Sequence, residues 1–191
     1  MKKNLITAFF MTIATTILLG LIYPLAVTGV AQLVFRDKAN GQIVRRNGEV
    51  IGSRIIAQPF TSGKYFHPRP SFAGANGYDA ANSGGTNYAP TNQKLIDRVK
   101  ADAASLQAEN PGQPIPADLI TMSASGLDPE ISPAAAEFQV PRVARERGLA
   151  ESTLRQLVEQ HTEQRDLGLF GEPRVNVLEL NLALDEVSAK R

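Results

Sequence analysis

The chain contains two histidines, His67 and His161, and these are the first residues to consider for metal binding or acid–base chemistry. They lie far apart in the sequence, and neither belongs to an H-E-x-x-H pattern or to another spacing typical of metal ligands. His161 continues an amphipathic helical stripe, whereas His67 lies in a segment rich in aromatic residues. We therefore expect both histidines to have structural roles, and no metal site is predicted.

The serines and phosphate-binding patterns give no clear catalytic signal. Ser123 and Ser125 lie in Ser-Ala-Ser-Gly, which lacks the first glycine of the G-x-S-x-G nucleophile motif. A Walker A sequence is absent. Asp37-Lys38 begins like the phosphorylated motif of P-type ATPases, but the following residues differ and an apolar run precedes it. A membrane-anchored hydrolase is therefore the weakest interpretation, and we predict no catalytic residue.

One carboxylate, Asp79, lies in a segment that is otherwise rich in Asn, Gly and Ser. A Ca²⁺ site normally needs several carboxylate or carbonyl oxygens, so a structural Ca²⁺ site is a minor alternative. The neighbouring residues Asn82–Thr86 offer a second alternative, because successive backbone N–H groups can form a nest for an anion. The simpler expectation is a tight turn with positive φ at Gly84 and Gly85.

An uncharged, mostly apolar run near the N-terminus, Leu5–Phe35, is the first structural element that the sequence predicts. About 20 apolar residues cross a hydrocarbon core of ~30 Å, and this run exceeds that length. The alternative is a cleaved signal peptide with Lys2 and Lys3 as its charged region, but the apolar part of such a peptide is usually about 7–15 residues. We expect a retained transmembrane helix, in which Pro24 marks a kink or an exit point.

The charges on the two sides of this run bear on its orientation. Lys2 and Lys3 favour a cytoplasmic N-terminus, but four basic residues follow the run: Arg36, Lys38, Arg45 and Arg46. Long domains can translocate regardless of loop charge. We expect residues 1–4 in the cytoplasm, a transmembrane helix and its extension over 5–35, and an extracytoplasmic domain over 36–191.

The predicted helix has one face of small residues. Ala8, Thr12, Thr16 and Gly20 recur at intervals of four, and bulky residues form the opposite face. Small residues at this spacing let a second helix approach closely, and threonine hydroxyls can bond across the contact. We therefore expect this face to pack against a partner helix. The alternative is a lipid-facing anchor in which the spacing has no meaning.

Composition limits the function classes. The chain has 20 basic and 19 acidic residues, and without Lys2 and Lys3 the remainder has 18 basic against 19 acidic residues. A nearly neutral domain argues against nucleic acid as a partner, because phosphate binding needs a basic surface. Cysteine is absent, which excludes disulfides and thiolate metal sites.

Local patterns predict a single α+β domain after the helix. Asn47-Gly48 predicts the turn of a hairpin over 42–58, and residues 60–90 read as a long ordered loop. Helices are expected over 90–109, from Ser132-Pro133 to Gly148, and around Leu154–His161. Alternating leucines predict a half-buried strand over 175–185, and residues 115–122 a shorter one.

Several uncommon blocks occur in a characteristic order. They are Tyr65–Ser71, Gly77–Asp79, Ser83–Asn87, Pro90–Asn92, Pro116–Thr121, Ser125–Pro133, Gln139–Val140, Arg142–Ala144, Arg147–Leu149 and Leu169–Leu178. Together with the single N-terminal apolar helix, their order resembles the C subunits of the Kdp potassium-transporting ATPases. The match covers nearly the whole chain. Its most specific parts are Ser125–Pro133 and Gly171–Leu178.

The resemblance implies membership of a bacterial inner-membrane complex that imports K⁺ at the expense of ATP. The partners would be a channel-like K⁺-binding subunit, a P-type subunit that hydrolyses ATP, and a small membrane subunit. The C subunit itself is expected to be non-catalytic and to be needed for assembly and stability. Its single membrane helix would carry an extracytoplasmic domain beside the channel-like subunit, with K⁺ as the transported ion.

The same resemblance implies a catalytic-chaperone role for this non-catalytic subunit, and it leaves as the alternative a regulatory subunit that itself binds nucleotide. The family has been described as a catalytic chaperone that raises the ATP affinity of the hydrolytic subunit, by comparison with the Leu-Ser-Gly-Gly-Gln signature of ABC ATPases. Here Ser83, Gly84 and Gly85 match, but Asn82 and Thr86 occupy the flanking positions. An extracytoplasmic domain would not meet cytoplasmic ATP. We therefore expect a non-catalytic subunit, with nucleotide contact at Ser83–Gly85 as the alternative.

Overall fold

The computed structural model describes residues 1–189, and the chain forms two compact units, Met1–Ile43 and Val44–Arg191. The first unit is helical: α1 (Lys2–Ile17), a π-helical turn (Leu18–Ile22), α2 (Tyr23–Val34) and α3 (Arg36–Ala39). Among the described residues, the continuous helix Lys2–Val34 is the one that is long and apolar enough to cross a membrane. None of its residues is buried, which agrees with membrane anchoring.

Pro24 widens this helix but does not end it. Proline has no N–H, so the backbone carbonyl four residues earlier, on Gly20, loses its usual helical donor. The helix accommodates this with a π turn, in which Tyr23 N donates to Leu18 O. The helix then continues to Val34. Of the two outcomes expected at Pro24, a kink or an exit, the exit is wrong, and the proline marks a local change in helical register.

The second unit mixes helices with short strands. The helices are α4 (Gln93–Glu109), α5 (Pro133–Arg147), α6 (Glu151–Gln160) and α7 (Val177–Ala189), with a 3₁₀ turn at Ala117–Leu119. The strands are β1 (Ile43–Arg46), β2 (Glu49–Ser53), β3 (Glu130–Ile131), β4 (Thr162–Glu163) and β5 (Arg174–Asn176). This mixture of helices and strands confirms the predicted secondary-structure class.

The predicted hairpin is present but shorter than expected. Strands β1 and β2 pair across Asn47 and Gly48, whose φ values of 51° and 85° suit a two-residue turn. Strand β2 ends at Ser53, so Ile55 and Ile56, which were expected to extend it, lie in a turn and a bend.

A second sheet joins distant parts of the chain in the order β3-β5-β4, with both pairs antiparallel. Val175 is its central residue, because it pairs with Ile131 on one side and with Thr162 on the other. Val175 is fully buried, and Ile131 is nearly so. This short sheet therefore fixes the start of α7 against the segments that enter α5 and leave α6.

Helix α5 begins and ends where the sequence predicts. Ser132 caps it, since its hydroxyl accepts a hydrogen bond from Ala135 N at 3.0 Å. Gly148 ends it in the left-handed conformation, with φ 64°. Pro141 lies inside the helix without dividing it. The helix contributes Val140 and Val143 to the core, both fully buried.

The predicted strand at 175–185 is wrong beyond Asn176, because the segment continues as α7. Leu178 and Leu182 are four residues apart, as are Leu180 and Leu184, so the spacing fits a helical face as well as a strand. Asn176 decides the outcome locally, since its side-chain oxygen accepts from Glu179 N at 3.1 Å and caps the new helix. Leu180 and Leu184 then face the core, fully buried.

The strand expected over 115–122 is also wrong. The segment forms the 3₁₀ turn Ala117–Leu119, preceded by Pro116, which has no N–H to contribute to a sheet. Asp118 instead accepts from Ser132 N at 2.7 Å and from Ser132 Oγ at 3.1 Å. This contact ties the turn to the N-terminus of α5.

The long loop is confirmed: between β2 and α4, residues 54–92 form no helix or strand. It is nevertheless ordered against the core, because Phe66 at its centre is completely buried in the main hydrophobic cluster with Leu154, Leu180 and Val143. A loop of this length in a compact domain needs specific anchors, and these form the candidate site.

Candidate functional site

Two buried side-chain amides hold the middle of the long loop by its backbone. Asn181 on α7 accepts from Phe66 N and donates to Phe66 O, both at 2.9 Å. Gln139 on α5 accepts from His67 N at 2.8 Å and donates to His67 O at 3.1 Å. Each amide thus pairs with both polar backbone groups of one residue, as a neighbouring strand would. We call this arrangement, Gln139 and Asn181 on Phe66 and His67, the amide clasp.

Arg142 completes the amide clasp from the same helix, one turn after Gln139. Its guanidinium donates to Gln139 Oε1 at 2.6 Å, Gly63 O at 2.6 Å and Tyr65 O at 2.9 Å. Its Nε donates to Glu109 Oε1 at 2.7 Å, which links α5 to α4. Because the Arg142 side chain is only 8% exposed, loss of these partners would leave a buried charge uncompensated.

The local environment of His67 supports the structural role expected for it. Its Nε2 lies 3.0 Å from Ser62 O, and an Nε2–H tautomer donates there. Burial lowers the pKa of His67 below its usual value, and the nearby Arg142 cation lowers the pKa further. His67 is therefore neutral near pH 7, with its Nε2 bonded within the loop and its backbone N and O bonded to Gln139 on α5. His161 lies at the C-terminal end of α6, where its backbone N–H donates to Leu157 O at 3.1 Å.

A second anchor lies further along the loop, around Ser71. The Ser71 hydroxyl donates to Gly126 O at 2.6 Å and accepts from Ala73 N and Tyr78 N at 3.1 and 2.8 Å. Tyr78 has φ 57°, and its hydroxyl donates to Arg69 O at 2.9 Å. Burial raises the pKa of Tyr78, which keeps its hydroxyl protonated as a donor.

Ser125 and Asp128 attach the same loop to the segment before β3. Arg69 donates to Asp128 Oδ2 at 2.8 Å, and Ser125 Oγ donates to Asp128 Oδ1 at 3.2 Å. Ser125 Oγ also accepts from Leu127 N at 3.1 Å. Ser123 Oγ lies 3.4 Å from Ser125 Oγ, so the two serines of the Ser-Ala-Ser-Gly segment contact one another.

Residues Ser83, Gly84 and Gly85, the candidate nucleotide contact, lie against this segment. Ser83 Oγ donates to Ser125 O at 3.0 Å, and Gly84 N donates to the same oxygen at 2.8 Å. The hydroxyl and the amide that a phosphate would need are therefore hydrogen-bonded to the protein's own backbone.

The expected positive φ at these glycines is wrong, because neither Gly84 nor Gly85 has a left-handed backbone. Gly85 is required for a different reason, because the backbone of Ala124 approaches it closely. A Cβ on Gly85 would lie 3.0 Å from Ala124 O. On Gly84 a Cβ would meet nothing within 4 Å. Gly126 on the facing segment does have a positive φ of 68°, and a Cβ there would lie 2.8 Å from Gly84 O. The glycines thus permit two backbone segments to pack together.

Asp79 organises a turn in the loop. Its carboxylate accepts from Ala81 N at 2.9 Å and from the Asn82 side chain. The hydrogen bonds from Asn82 and then Ala81 hold the pKa of Asp79 below its usual value. Among the described residues, no group of three or more His, Asp or Glu side chains is placed to hold a metal ion.

The four small residues of the predicted partner face lie on the exposed N-terminal helix. Thr12 Oγ1 donates to Ala8 O at 2.9 Å, so this hydroxyl is already bonded along the helix. A Cβ on Gly20 would lie 3.9 Å from Thr16 Cγ2, which places these two positions one above the other. Gly20 falls within the π turn, so the face ends where the helical register changes.

The sequence interpretation missed the residues that hold the loop. Gln139 lies between Phe138 and Val140, and Asn181 lies between Leu180 and Leu182. A polar amide at a core position of a helix is the signal that could have identified them, because such a group needs a buried partner.

Comparison with known proteins matches the chain over almost its full length. A profile for the family described as KdpC, the c chain of K⁺-transporting ATPase, matches residues 5–186. The chain is 69% identical over 185 residues to the potassium-transporting ATPase KdpC subunit of Koribacter versatilis, covering 97% of this chain and 95% of that protein.

Two further relatives bear the same name. The protein from Rhodopseudomonas palustris strain BisB18 is 55% identical over 196 residues, covering 97% of this chain and 98% of its own. The protein from Methylobacterium nodulans is 53% identical over 201 residues, covering 100% of this chain and 100% of that protein.

The amide clasp predicts that Gln139→Leu is strongly destabilising. The substitution leaves His67 N, His67 O and Arg142 short of buried partners, and we expect a loss of about 3 kcal/mol of unfolding free energy. For a chain of this size, this loss corresponds to a fall of roughly 6–12 °C in Tm. Gln156→Leu, on the exposed surface of α6, is the control and should leave Tm nearly unchanged. Equal melting temperatures for the two variants would contradict the role of the clasp.

The surroundings of Gly84 and Gly85 predict that alanine substitution lowers the unfolding free energy at Gly85 but not at Gly84. Gly85→Ala brings a Cβ against Ala124 O and should cost on the order of 1–3 kcal/mol of unfolding free energy. Gly84→Ala enters open space without a positive φ, so its effect should lie within about 0.5 kcal/mol. Chemical denaturation of both variants measures the difference, and a larger loss for Gly84→Ala would show that the segment packs differently.

Proposed function

The chain belongs to the KdpC family of K⁺-transporting ATPase subunits, and from this we propose that it is a non-catalytic accessory subunit whose helix-anchored domain stabilises the assembled complex. Membership of the family makes the chain a subunit of a potassium-transporting ATPase, which implies partner subunits. In the proposed arrangement these are a channel-like K⁺-binding subunit, a P-type subunit that hydrolyses ATP, and a small membrane subunit.

The observation that supports the non-catalytic role is that the polar groups of the loop, and the side chains that hold it, form hydrogen bonds within the protein. Arg142 and Gln139 bind backbone carbonyls and amides, His67 is neutral and bonded to Ser62, and Ser83 donates to Ser125. Side chains held in this way stabilise a fixed loop surface rather than react with a substrate. A fixed surface suits binding to another protein, since little conformational entropy is lost on association.

We place the chain in the bacterial inner membrane, with residues 1–4 in the cytoplasm and the domain from residue 36 outside. The continuous apolar helix Lys2–Val34 supports the anchoring, and Lys2 and Lys3 support a cytoplasmic N-terminus. K⁺ is then the ion transported by the complex.

We propose that the helix is also an assembly contact, through the face formed by Ala8, Thr12, Thr16 and Gly20. The packing of a partner helix on these small side chains would bring the two backbones close together. The Thr12 hydroxyl is bonded to Ala8 O, so at this position the face presents a methyl group rather than an unpaired donor. Van der Waals contact between closely approaching helices then supplies the association energy.

For Ser83–Gly85 we propose a role in loop structure rather than nucleotide contact. Phosphate sites at glycine-rich loops combine free backbone amides with a cation or a helix start. Here Gly84 N and Ser83 Oγ both donate to Ser125 O, and the next helix, α4, begins at Gln93. Any influence of this subunit on ATP affinity would then pass through partner subunits as a coupling between distant sites.

The proposed location predicts the labelling of a single engineered cysteine. Ser152→Cys lies on the exposed surface of α6, and the native chain has no cysteine to compete. In intact spheroplasts this cysteine should react with a membrane-impermeant maleimide. Labelling that requires lysis would place the domain in the cytoplasm and would favour the nucleotide-binding alternative.

The proposed helix contact predicts a loss of assembly when the small face is made bulky. Thr16→Leu combined with Gly20→Leu should release the subunit from the detergent-solubilised complex, because the added side chains keep the partner helix away. Ile13→Leu with Ile17→Leu is the matched control on the other face and should be retained. Similar behaviour of the two double variants in affinity co-purification would refute the assignment of the face.

The proposed role of Ser83 predicts that Ser83→Ala leaves the apparent ATP affinity of the assembled ATPase within about twofold of wild type. The substitution removes one hydrogen bond to Ser125 O at the protein surface, which should cost only about 1 kcal/mol of domain stability. ATPase rates measured against ATP concentration test this. A large loss of ATP affinity in a fully assembled Ser83→Ala complex would support nucleotide contact instead.

A further inference from the structure

An exposed apolar hairpin lies between β4 and β5. Its three large side chains, Leu167, Leu169 and Phe170, are 88%, 76% and 64% exposed. Single exposed apolar residues are common, but three within four residues form a local apolar projection. We call these three side chains the apolar tip.

The backbone under the apolar tip is ordered by its own hydrogen bonds. Asp166 N donates to Phe170 O at 2.8 Å, and Phe170 N donates to Asp166 O at 2.9 Å. Within this bridge, Gly168 N donates to Arg165 O and Leu169 N to Asp166 O, both at 3.1 Å. The tip is therefore presented on a closed turn of fixed shape.

Leu167 is an unfavourable residue for its position in two independent respects. It has φ 54° and precedes Gly168 with φ 73°, a pair that suits a type I′ turn and normally selects Asn, Asp or Gly. Its side chain is also almost fully exposed to solvent and contributes little packing within the chain. A leucine that neither the turn nor the core requires points to a contact outside this chain.

Charged residues around the tip are predominantly acidic. Arg165 pairs with Glu172 at 2.6 Å, and Arg174 lies 2.9 Å from Glu163 and 3.7 Å from Asp166. Arg174 also reaches Glu130 at 3.2 Å. Two arginines therefore face four carboxylates, which leaves an acidic border. The carboxylates of Glu172 and Asp166 belong to side chains that are 77% and 70% exposed.

We propose that the apolar tip inserts into an apolar pocket with a basic border on another subunit of the same ATPase complex. This inference rests on the proposed function, because it takes its partner from membership of the complex. The pocket would bury the two leucines and the phenylalanine, and its basic border would pair with Asp166 and Glu172. The fixed turn means that little ordering accompanies insertion, which favours specific recognition.

The charges favour a protein over the lipid bilayer as the partner. Bilayer surfaces rich in anionic lipids attract basic segments. The acidic border of the tip would be repelled by such a surface, whereas it complements basic residues on a protein. Insertion into the bilayer is accordingly the competing outcome that the experiment must separate.

Site-specific photocrosslinking in the co-expressed, full-length complex tests the partner. Phe170 is replaced by p-benzoylphenylalanine, which keeps the aromatic ring, and Gln156 on the exposed face of α6 carries the same probe as a control. We expect a crosslink from position 170 to one protein subunit of the complex and none from position 156. Crosslinks from position 170 to lipid alone, or no yield above the control, would overturn the proposal.

A second measurement uses the triple variant Leu167→Asn, Leu169→Ser and Phe170→Ser. Asparagine suits the positive φ, and all three side chains are exposed, so the Tm of the subunit should stay within about 2 °C of wild type. We expect its affinity for the solubilised complex to fall at least about tenfold. Gln156→Ser should bind as wild type does, and unchanged affinity of the triple variant would refute the inference.

Co-purification distinguishes a failure of the proposed function from a failure of tip docking. If the wild-type chain does not co-purify with the ATPase subunits, the proposed function is wrong. If the wild-type chain co-purifies and the triple variant binds equally well, the proposed function stands and the docking of the apolar tip is wrong. Association through the tip should also weaken as salt rises, because the acidic border and its basic partners are screened.

Discussion

The domain depends on the pairing of two buried side-chain amides with the backbone of Phe66 and His67. A loop that crosses a hydrophobic core must satisfy its peptide groups there, because each unpaired buried group costs about 1–3 kcal/mol. Asn181 and Gln139 meet this demand from α7 and α5, and Arg142 adds contacts to Gly63 and Tyr65. Phe66 can therefore be fully buried within a segment that has no regular secondary structure. The same contacts connect both helices to the loop, so the core and the loop stabilise each other.

This arrangement links the fold to the proposed function. A long loop that is bonded at Phe66–His67, at Ser71 and at Ser83–Gly84 presents a surface of fixed shape. A subunit that stabilises a larger assembly needs such surfaces more than it needs reactive groups. The two contacts that we propose are of different kinds, one through a face of small residues on the helix and one through an ordered apolar projection of the domain.

The sequence predicted those features that depend on local chemistry. Asn47-Gly48 predicted a turn, Ser132-Pro133 and Gly148 predicted the ends of α5, and the apolar run predicted the N-terminal helix. Features that depend on tertiary partners were harder to predict. The leucines of α7 fit both a strand and a helix, and the choice followed from the Asn176 cap and from the burial of Asn181.

The candidate site was predicted only in part, for the same reason. The importance of Gly85 comes from its distance to Ala124, nearly 40 residues later, and no local pattern reveals that approach. The most direct test of the account is amide hydrogen exchange of the full-length subunit. The amides of Phe66 and His67 should exchange as slowly as the core amide of Val143, since all three would open only with global unfolding. Exchange of Phe66 and His67 within about tenfold of the rate of an unstructured chain, while Val143 stays protected, would contradict the claim that the clasp fixes the loop.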